Sequence, residues 1–217
     1  MSAPTVIKWS DAGAPALTNA AGSLINVLDY CLPQRGWTKE FSGTNKAVYR
    51  AGTGNRKLYR ILDDNSFSSG SFYSASVTAY DSMTGVDSGA GWGQTEYIRK
   101  SYNDSTPKRW ICIVDETGFF IITQPHGGTS VDIGLRAFVP HYFGETVPAL
   151  TGQSPRDIMA GCNVVSAYGG VLSHTENIAS NAFVRCSRSL DGSVTALNIY
   201  SPRTVFNTGV TAAAPVG

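Results

Sequence analysis

Alternation of apolar and polar positions marks most of the first half of the chain as strands. A period of two residues is typical of a strand that turns one face to a core. The segments with this pattern are, in chain order, TVIKW at 5–9, WTKEF at 37–41, KAVYR at 46–50, KLYRILDD at 57–64 and SFYSASVTAY at 71–80. Turn residues separate them, so they predict a series of short antiparallel strands.

One segment has a helical period instead. AAGSLINVLDYCL at 20–32 places Leu24, Leu28 and Cys31 on one face, which predicts an amphipathic helix. Ser23 is the expected N-cap, and Pro33 together with the following Gly36 is expected to end the helix.

The stretch RWICIVDETGFFIITQ at 109–124 predicts a β-hairpin that turns at 115–118, with Gly118 at a positive φ. Both of its strands are apolar at nearly every position, which favours a central place in a sheet covered on both faces. A second hairpin is predicted in 183–201, turning at Asp191-Gly192. A strand is expected to end near Pro140, and a second short helix to begin at Ser154.

Two segments have no periodicity. Residues 81–96 are rich in glycine and predict a long connection, and such loops are usually functional surfaces. Residues 205–217 are small and uncharged and predict a C-terminal arm. The predicted fold is therefore mainly β (α+β), an antiparallel sheet or β-sandwich-like single domain over 1–204 with one N-terminal helix and a second short one.

Composition adds that the surface carries little charge. Of 217 residues, 42% are hydrophobic and 15% are charged, against about 25% charged in an average soluble domain. A weakly charged surface is poorly protected against association, so part of it is expected to be covered in an assembly. The net charge of +1 argues against a dedicated nucleic-acid binder, which carries a concentrated basic excess.

The N-terminus lacks a basic stretch followed by an apolar core, and no apolar run approaches the roughly 20 residues of a membrane span, so neither a signal peptide nor a membrane contact is expected.

Four cysteines are far apart and lack metal-site spacing, which predicts reduced, buried thiols in a protein made in a cytosol. They are Cys31, Cys112, Cys162 and Cys186. A disulfide between the last two stays open.

Motifs that suggest catalysis are weak. Ser88 lies in an Asp-Ser-Gly sequence, but all three histidines follow it, unlike the order in trypsin-like proteases. The loop AGTGNRK at 51–57 lacks phosphate-loop spacing and precedes a strand pattern. Of the histidines, only His141, near Asp132 and Glu145, suggests a metal cluster. We therefore predict no catalytic residues, no cofactor, no metal and no small-molecule substrate.

Surface-binding candidates are more specific. Five basic residues on two adjacent strands form a stripe, which suggests either contact with a phosphate backbone or salt bridges and solvation. They are Lys46, Arg50, Arg56, Lys57 and Arg60. Trp37 and Trp110 lie in apolar contexts and are expected in the core, whereas Trp92 lies between glycines and is a candidate interface anchor.

Several ordered segments resemble a family of tailed-bacteriophage and prophage virion structural proteins. They are SDAGAPALTNAAGSLINVLDYCL, GWTKEFSGTNKAVYRAG, LYRILDD, AYDSMTGVDSGAG, RWICIVDETGFFII and YFGETVPALTGQSPRDIMAGC, and the resemblance covers residues 5–162. It implies a non-enzymatic component of the particle, made and assembled in the host cytoplasm. The implied partners are other virion proteins and symmetric copies of this chain.

The long 81–96 loop and the C-terminal arm favour a place in the tail, neck or baseplate, because an adaptor can use both, with capsid decoration as an alternative. A carbohydrate- or receptor-binding module on the particle is a further alternative, in which Trp92, Tyr97 and Tyr102 stack on sugar. The predicted interface residues are these three aromatics together with Val205 and Phe206 of the arm.

Overall fold

The computed structural model describes residues 3–67, 72–102, 105–125 and 139–146, together with the backbone of three strands between 156 and 200. Its elements are β1 (Thr5–Lys8), α1 (Ser23–Cys31), β2 (Thr38–Gly43), β3 (Lys46–Arg50), β4 (Leu58–Leu62), β5 (Phe72–Gly85), β6 (Ser88–Tyr102), β7 (Arg109–Val114), β8 (Gly118–Gln124), β9 (Val139–Thr146), β10 (Arg156–Gly161), β11 (Phe183–Cys186) and β12 (Leu197–Tyr200). The predicted mainly-β domain with an N-terminal helix is confirmed.

The strands form two five-stranded antiparallel sheets and one separate pair. Sheet I has the order β1-β7-β8-β9-β10, sheet II has the order β2-β3-β4-β5-β6, and β11 pairs with β12. Sheet II therefore consists of consecutive strands. It is inserted between the first two strands of sheet I, because β1 pairs with β7 in the register Thr5↔Val114.

One hydrophobic core joins the inner faces of both sheets and α1. Its centre is aromatic: the rings of Trp37 and Phe119 meet edge to face at 5.3 Å, and Trp37 lies 5.9 Å from Tyr59. Both core indoles also have partners, since Trp37 Nε1 donates to Asp115 O at 2.8 Å and Trp110 Nε1 donates to Pro15 O at 3.1 Å. The prediction that Trp37 and Trp110 are core residues is confirmed.

The helix begins as predicted, but with a different cap. Gly22 is the N-cap, with φ 80°, and the Ser23 hydroxyl donates to Thr18 O at 2.8 Å. The first free helical N–H, that of Leu24, donates to Asp63 Oδ2 at 2.8 Å. Ser23 as N-cap is therefore wrong, because a carboxylate from the end of β4 takes that role.

The capping carboxylate belongs to a buried ion pair. Asp63 and Lys100 are both 0% exposed, and the Lys100 ammonium bonds the second oxygen of Asp63. It also donates to Ala20 O at 2.8 Å and to Asn65 Oδ1 at 3.0 Å. Burial raises the pKa of Asp63 and lowers the pKa of Lys100, while each partner opposes the shift of the other.

Two local predictions are wrong because long-range pairing overrides local signals. The helix expected from Ser154 is replaced by β10, which pairs with β9 from Arg156↔Thr146 to Gly161↔His141. Pro140 lies near the start of β9 rather than at the end of a strand.

The 115–118 hairpin is confirmed, but Gly118 has no positive φ. Asp115 Oδ1 closes the turn instead, accepting the N–H groups of Thr117 at 2.7 Å and Gly118 at 2.8 Å. A Cβ at Gly118 would come within 2.9 Å of Tyr142 Cζ, so the glycine provides space for that ring.

Candidate assembly surface

The outer face of sheet I is mainly apolar and partly exposed to solvent. Val6, Ile113, Phe120 and Tyr142 are cross-strand neighbours in one row over β1, β7, β8 and β9. Val6 is 53% exposed and Phe120 is 42% exposed, and the Phe120 and Tyr142 rings lie 4.6 Å apart. These residues pack on each other while one side of the row faces solvent.

A second row lies beside the first, with Lys8, Ile111 and Ile122 as cross-strand neighbours. Together the two rows are the open face: Val6, Lys8, Ile111, Ile113, Phe120, Ile122 and Tyr142. The alternate positions of β7 and β8 point into the core and are buried. The predicted central position of β7 and β8 is therefore confirmed, but coverage of both faces is wrong for the part of the chain that the structure describes.

Sheet II differs because a two-stranded extension covers part of its outer face. β4 pairs with β5 only up to Leu58↔Tyr80, and β5 and β6 continue beyond it as a hairpin. This ribbon, residues 81–91, folds back so that Met83 and Val86 pack with Val48 and Leu58. Val48 and Leu58 are consequently 0% and 1% exposed.

The ribbon corrects the prediction of a loop at 81–96. Four register shifts bend the β5–β6 pair, as β-bulges do. The glycines make room for an aromatic ring: a Cβ at Gly89 would lie 3.0 Å from Tyr80 Cδ1 and 2.6 Å from Met83 Cγ. A Cβ at Gly91 would lie 3.2 Å from Tyr80 Cε1. These glycines serve close packing inside strands rather than loop flexibility.

We expect Gly89→Ala to lower the free energy of unfolding by about 1–3 kcal/mol, because the added methyl would overlap the Ser82 carbonyl oxygen and Met83 Cγ on β5 and push the two strands of the ribbon apart. Gly85→Ala in the same ribbon is the matched control, since a Cβ there meets nothing within 4 Å. Urea unfolding of both variants tests this. Equal stabilities would show that β5 and β6 do not approach each other this closely in the ribbon.

Ion pairs fix the ribbon to the basic stripe. Asp87 lies 2.7 Å from Lys46 and 3.4 Å from Arg60, and Asp81 lies 2.6 Å from Lys57. The hydrogen bond from Lys46 lowers the pKa of Asp87. Arg50, at the other end of the stripe, pairs with Glu40 at 3.1 Å. Carboxylates of the chain itself neutralise these cations, which favours the salt-bridge interpretation of the stripe over contact with nucleic acid.

The predicted aromatic interface residues all lie on β6, although only Tyr97 has a described side chain. Tyr97 is half-buried and its ring lies 5.0 Å from that of Phe67. Trp92 and Tyr102 are each five positions from Tyr97, about 16 Å along a strand. The strand therefore separates the three residues rather than gathering them into one stacking site. Val205 and Phe206, and with them the 205–217 arm, lie outside the described residues.

The residues weighed for catalysis are used structurally. Ser88 begins β6 and accepts a hydrogen bond from Thr84 Oγ1 at 3.2 Å. In the 51–57 loop, the Asn55 N–H donates to the Glu145 carboxylate, so a side chain of the same chain already binds the amide that a phosphate loop would offer to its ligand. Within the described ranges no three His, Cys, Asp or Glu side chains form a metal-binding group.

His141 is buried instead of being available to a metal. It is 1% exposed and lies on the core side of β9, with its ring stacked on Phe143 at 6.5 Å. Among the described residues, neither ring nitrogen has a hydrogen-bond partner. Desolvation, with a contribution from the Arg99 charge, lowers the pKa of His141 to about 3. Asp132, its predicted neighbour, lies outside the described residues.

Cys31 and Cys112 are free and buried, as predicted. Cys31 ends α1 and Cys112 lies on β7, and the interaction of their side chains together with burial raises the pKa of the Cys112 thiol. Such a thiol is unreactive at neutral pH. The side chains of Cys162 and Cys186 are outside the described part.

The one α-helix of the described residues is too short to span a bilayer. Comparison with protein families, with curated proteins and with solved structures gave no match to this chain.

The sequence did not predict the open face or the ribbon. The sequence of β7 and β8 is apolar on both sides, and this pattern does not distinguish a face that the same chain covers from one that it leaves open.

Proposed function

We propose that the chain is a non-catalytic structural component of a tailed-phage particle and that the open face of sheet I is the surface through which it contacts a neighbouring protein. The observation that carries this proposal is the exposed apolar row on β1, β7, β8 and β9. Its most exposed members are Val6 and Phe120, at 53% and 42%.

The argument from energy is direct. Each Å² of apolar surface removed from water contributes roughly 25 cal/mol, and contiguous apolar patches on soluble proteins usually mark contact sites. A twisted sheet with side chains standing from one face packs against a second sheet about 10 Å away. The open face offers such a layer, while the ribbon already covers part of the outer face of sheet II.

The sequence supports the same function. The low charged fraction of 15% is suited to a surface that becomes buried in an assembly. The resemblance to tailed-phage structural proteins over residues 5–162 supplies the setting, with the tail, neck or baseplate favoured over capsid decoration.

The test is Phe120→Asp, which places a charge in the middle of the open face. We expect the variant to fold, since Phe120 is 42% exposed, and its copy number in purified particles to fall at least tenfold because an unpaired charge is costly in a desolvated contact. Ser42→Asp, on the exposed strand β2, is the control and should leave the copy number unchanged. Quantitative mass spectrometry of particles measures both.

Equal incorporation of both variants would remove the open face from the assembly. Absence of the unmodified chain from purified particles would overturn the structural role itself.

A further inference from the structure

The open face is electrically polarised along its strands. Lys8 and Arg109 lie at one end, both exposed, with the Arg109 guanidinium 5.3 Å from the Trp9 ring. Asp115 and Glu116 form the hairpin tip at the other end, and the Glu116 side chain is 41% exposed. Asp115 is six positions after Arg109, about 20 Å along an extended strand. The apolar rows lie between these two ends.

From this arrangement we infer that the open face docks on the open face of a second copy of this chain, around a two-fold axis. The inference deepens the proposed function and depends on it, since it uses the same surface and names its occupant. A two-fold axis that lies in the plane of the contact and crosses the strands at right angles turns the strands of one copy antiparallel to those of its partner. The basic end of each copy then meets the acidic tip of the other.

Charge complementarity decides in favour of a copy in this orientation. In a two-fold contact every pairing occurs twice, so Arg109 of each copy meets the hairpin tip of the other copy. A parallel arrangement would place Lys8 and Arg109 near the same two residues of the other copy, and these like charges would repel each other. The same operation places the row of Ile113 and Phe120 opposite the row of Ile111 and Ile122 of the other copy, because the two rows lie on either side of the midpoint between Arg109 and the tip.

The ion pair already made by the tip does not prevent this contact. Arg35 Nη2 binds Glu116 Oε1 at 3.1 Å, and an ionised carboxylate has about four lone-pair positions, so Glu116 can accept from a second arginine while it keeps its partner in the chain. The Arg109 guanidinium is exposed and lies 5.3 Å from the Trp9 ring, and planar guanidinium groups bind carboxylates through two parallel hydrogen bonds.

The experiment is a charge exchange on the purified full chain, with the dimer dissociation constant measured by sedimentation. Arg109→Glu and Glu116→Arg, each alone, place like charges together twice per dimer, and we expect each to raise the dissociation constant roughly tenfold. The double variant restores opposite charges in a two-fold contact, and we expect it to associate more tightly than either single variant. Lys39→Glu, which changes a charge away from the face, is the control.

Failure of the inference can be distinguished from failure of the proposed function. A chain that stays monomeric, or single variants without effect, would overturn the two-fold contact. If Phe120→Asp still prevented incorporation into particles, the open face would remain an assembly surface for a different protein. Thermal melts verify folding of each variant, and Lys8→Glu replaces Arg109→Glu if the latter fails to fold.

Discussion

Replacing Lys100 with methionine is expected to lower the free energy of unfolding by about 3–5 kcal/mol. Methionine keeps the length and the apolar stem of lysine, so the loss arises from the ammonium. Without it, Asp63 is left buried at 0% exposure with its charge uncompensated, and Ala20 O and Asn65 Oδ1 lose a donor. The effect is large because Asp63 also holds the first turn of α1 through the Leu24 N–H.

Two further variants isolate the cause. Lys100→Met combined with Asp63→Asn removes the uncompensated charge while an amide oxygen still accepts from Leu24, so we expect it to be more stable than Lys100→Met alone. Lys39→Met breaks the exposed pair with Asp29, and its cost should stay below about 1 kcal/mol. Urea unfolding at neutral pH measures all three. A Lys100→Met loss within that same range would refute the importance of the buried pair.

Acidification is the second large effect, and His141 is its source. The native pKa of His141 is about 3, against 6.5 in an unfolded chain, so between these values the unfolded state binds a proton that the native state does not. Stability is therefore independent of this group above about pH 6.5 and falls as the pH decreases below it. The slope approaches about 1.4 kcal/mol per pH unit, which amounts to about 3 kcal/mol by pH 4.

His141→Leu removes both buried nitrogens and this titration. Its free energy of unfolding, measured by urea titration from pH 7.5 to 4, should decline less steeply than that of the unmodified chain, with the divergence beginning near pH 6.5. The control is Glu40→Gln. The Thr38 hydroxyl and Arg50 lower the pKa of Glu40 from its ordinary value of 4.5. Ionised Glu40 therefore stabilises the folded chain above pH 4.5, and this stabilisation is lost only as the pH falls below that value. Parallel curves for His141→Leu and the unmodified chain would contradict the assignment.

Much of the fold followed from periodicity. The apolar faces of β3, β4 and β5 were readable because each of these strands has one face in a core, and the helix was readable from Leu24, Leu28 and Cys31. In these segments the local pattern and tertiary burial agree, which is the condition under which pattern-based prediction succeeds.

The errors occurred where a residue serves a distant partner. Gly89 and Gly91 resemble loop glycines in sequence, and only the close approach of β5, with the Tyr80 ring among its contacts, explains them. Likewise, Asp63 looks like a turn residue after β4, and nothing local indicates that it caps α1, 39 positions away. The open face escaped prediction for a related reason: an apolar outer face has the same pattern whether a layer of the same chain or another molecule covers it.

The pairing of β1 with β7 has a consequence for the order in which the chain folds. Sheet II is a succession of neighbours, β2 to β6, so each strand finds its partner soon after it is synthesised. Thr5, by contrast, has no partner until Val114 is available. Contacts between such distant positions form late because the intervening chain has to be closed first. We therefore expect β1, although it is synthesised before every strand of sheet II, to be among the last strands to join its sheet, with Val6 completing the open face only at that step.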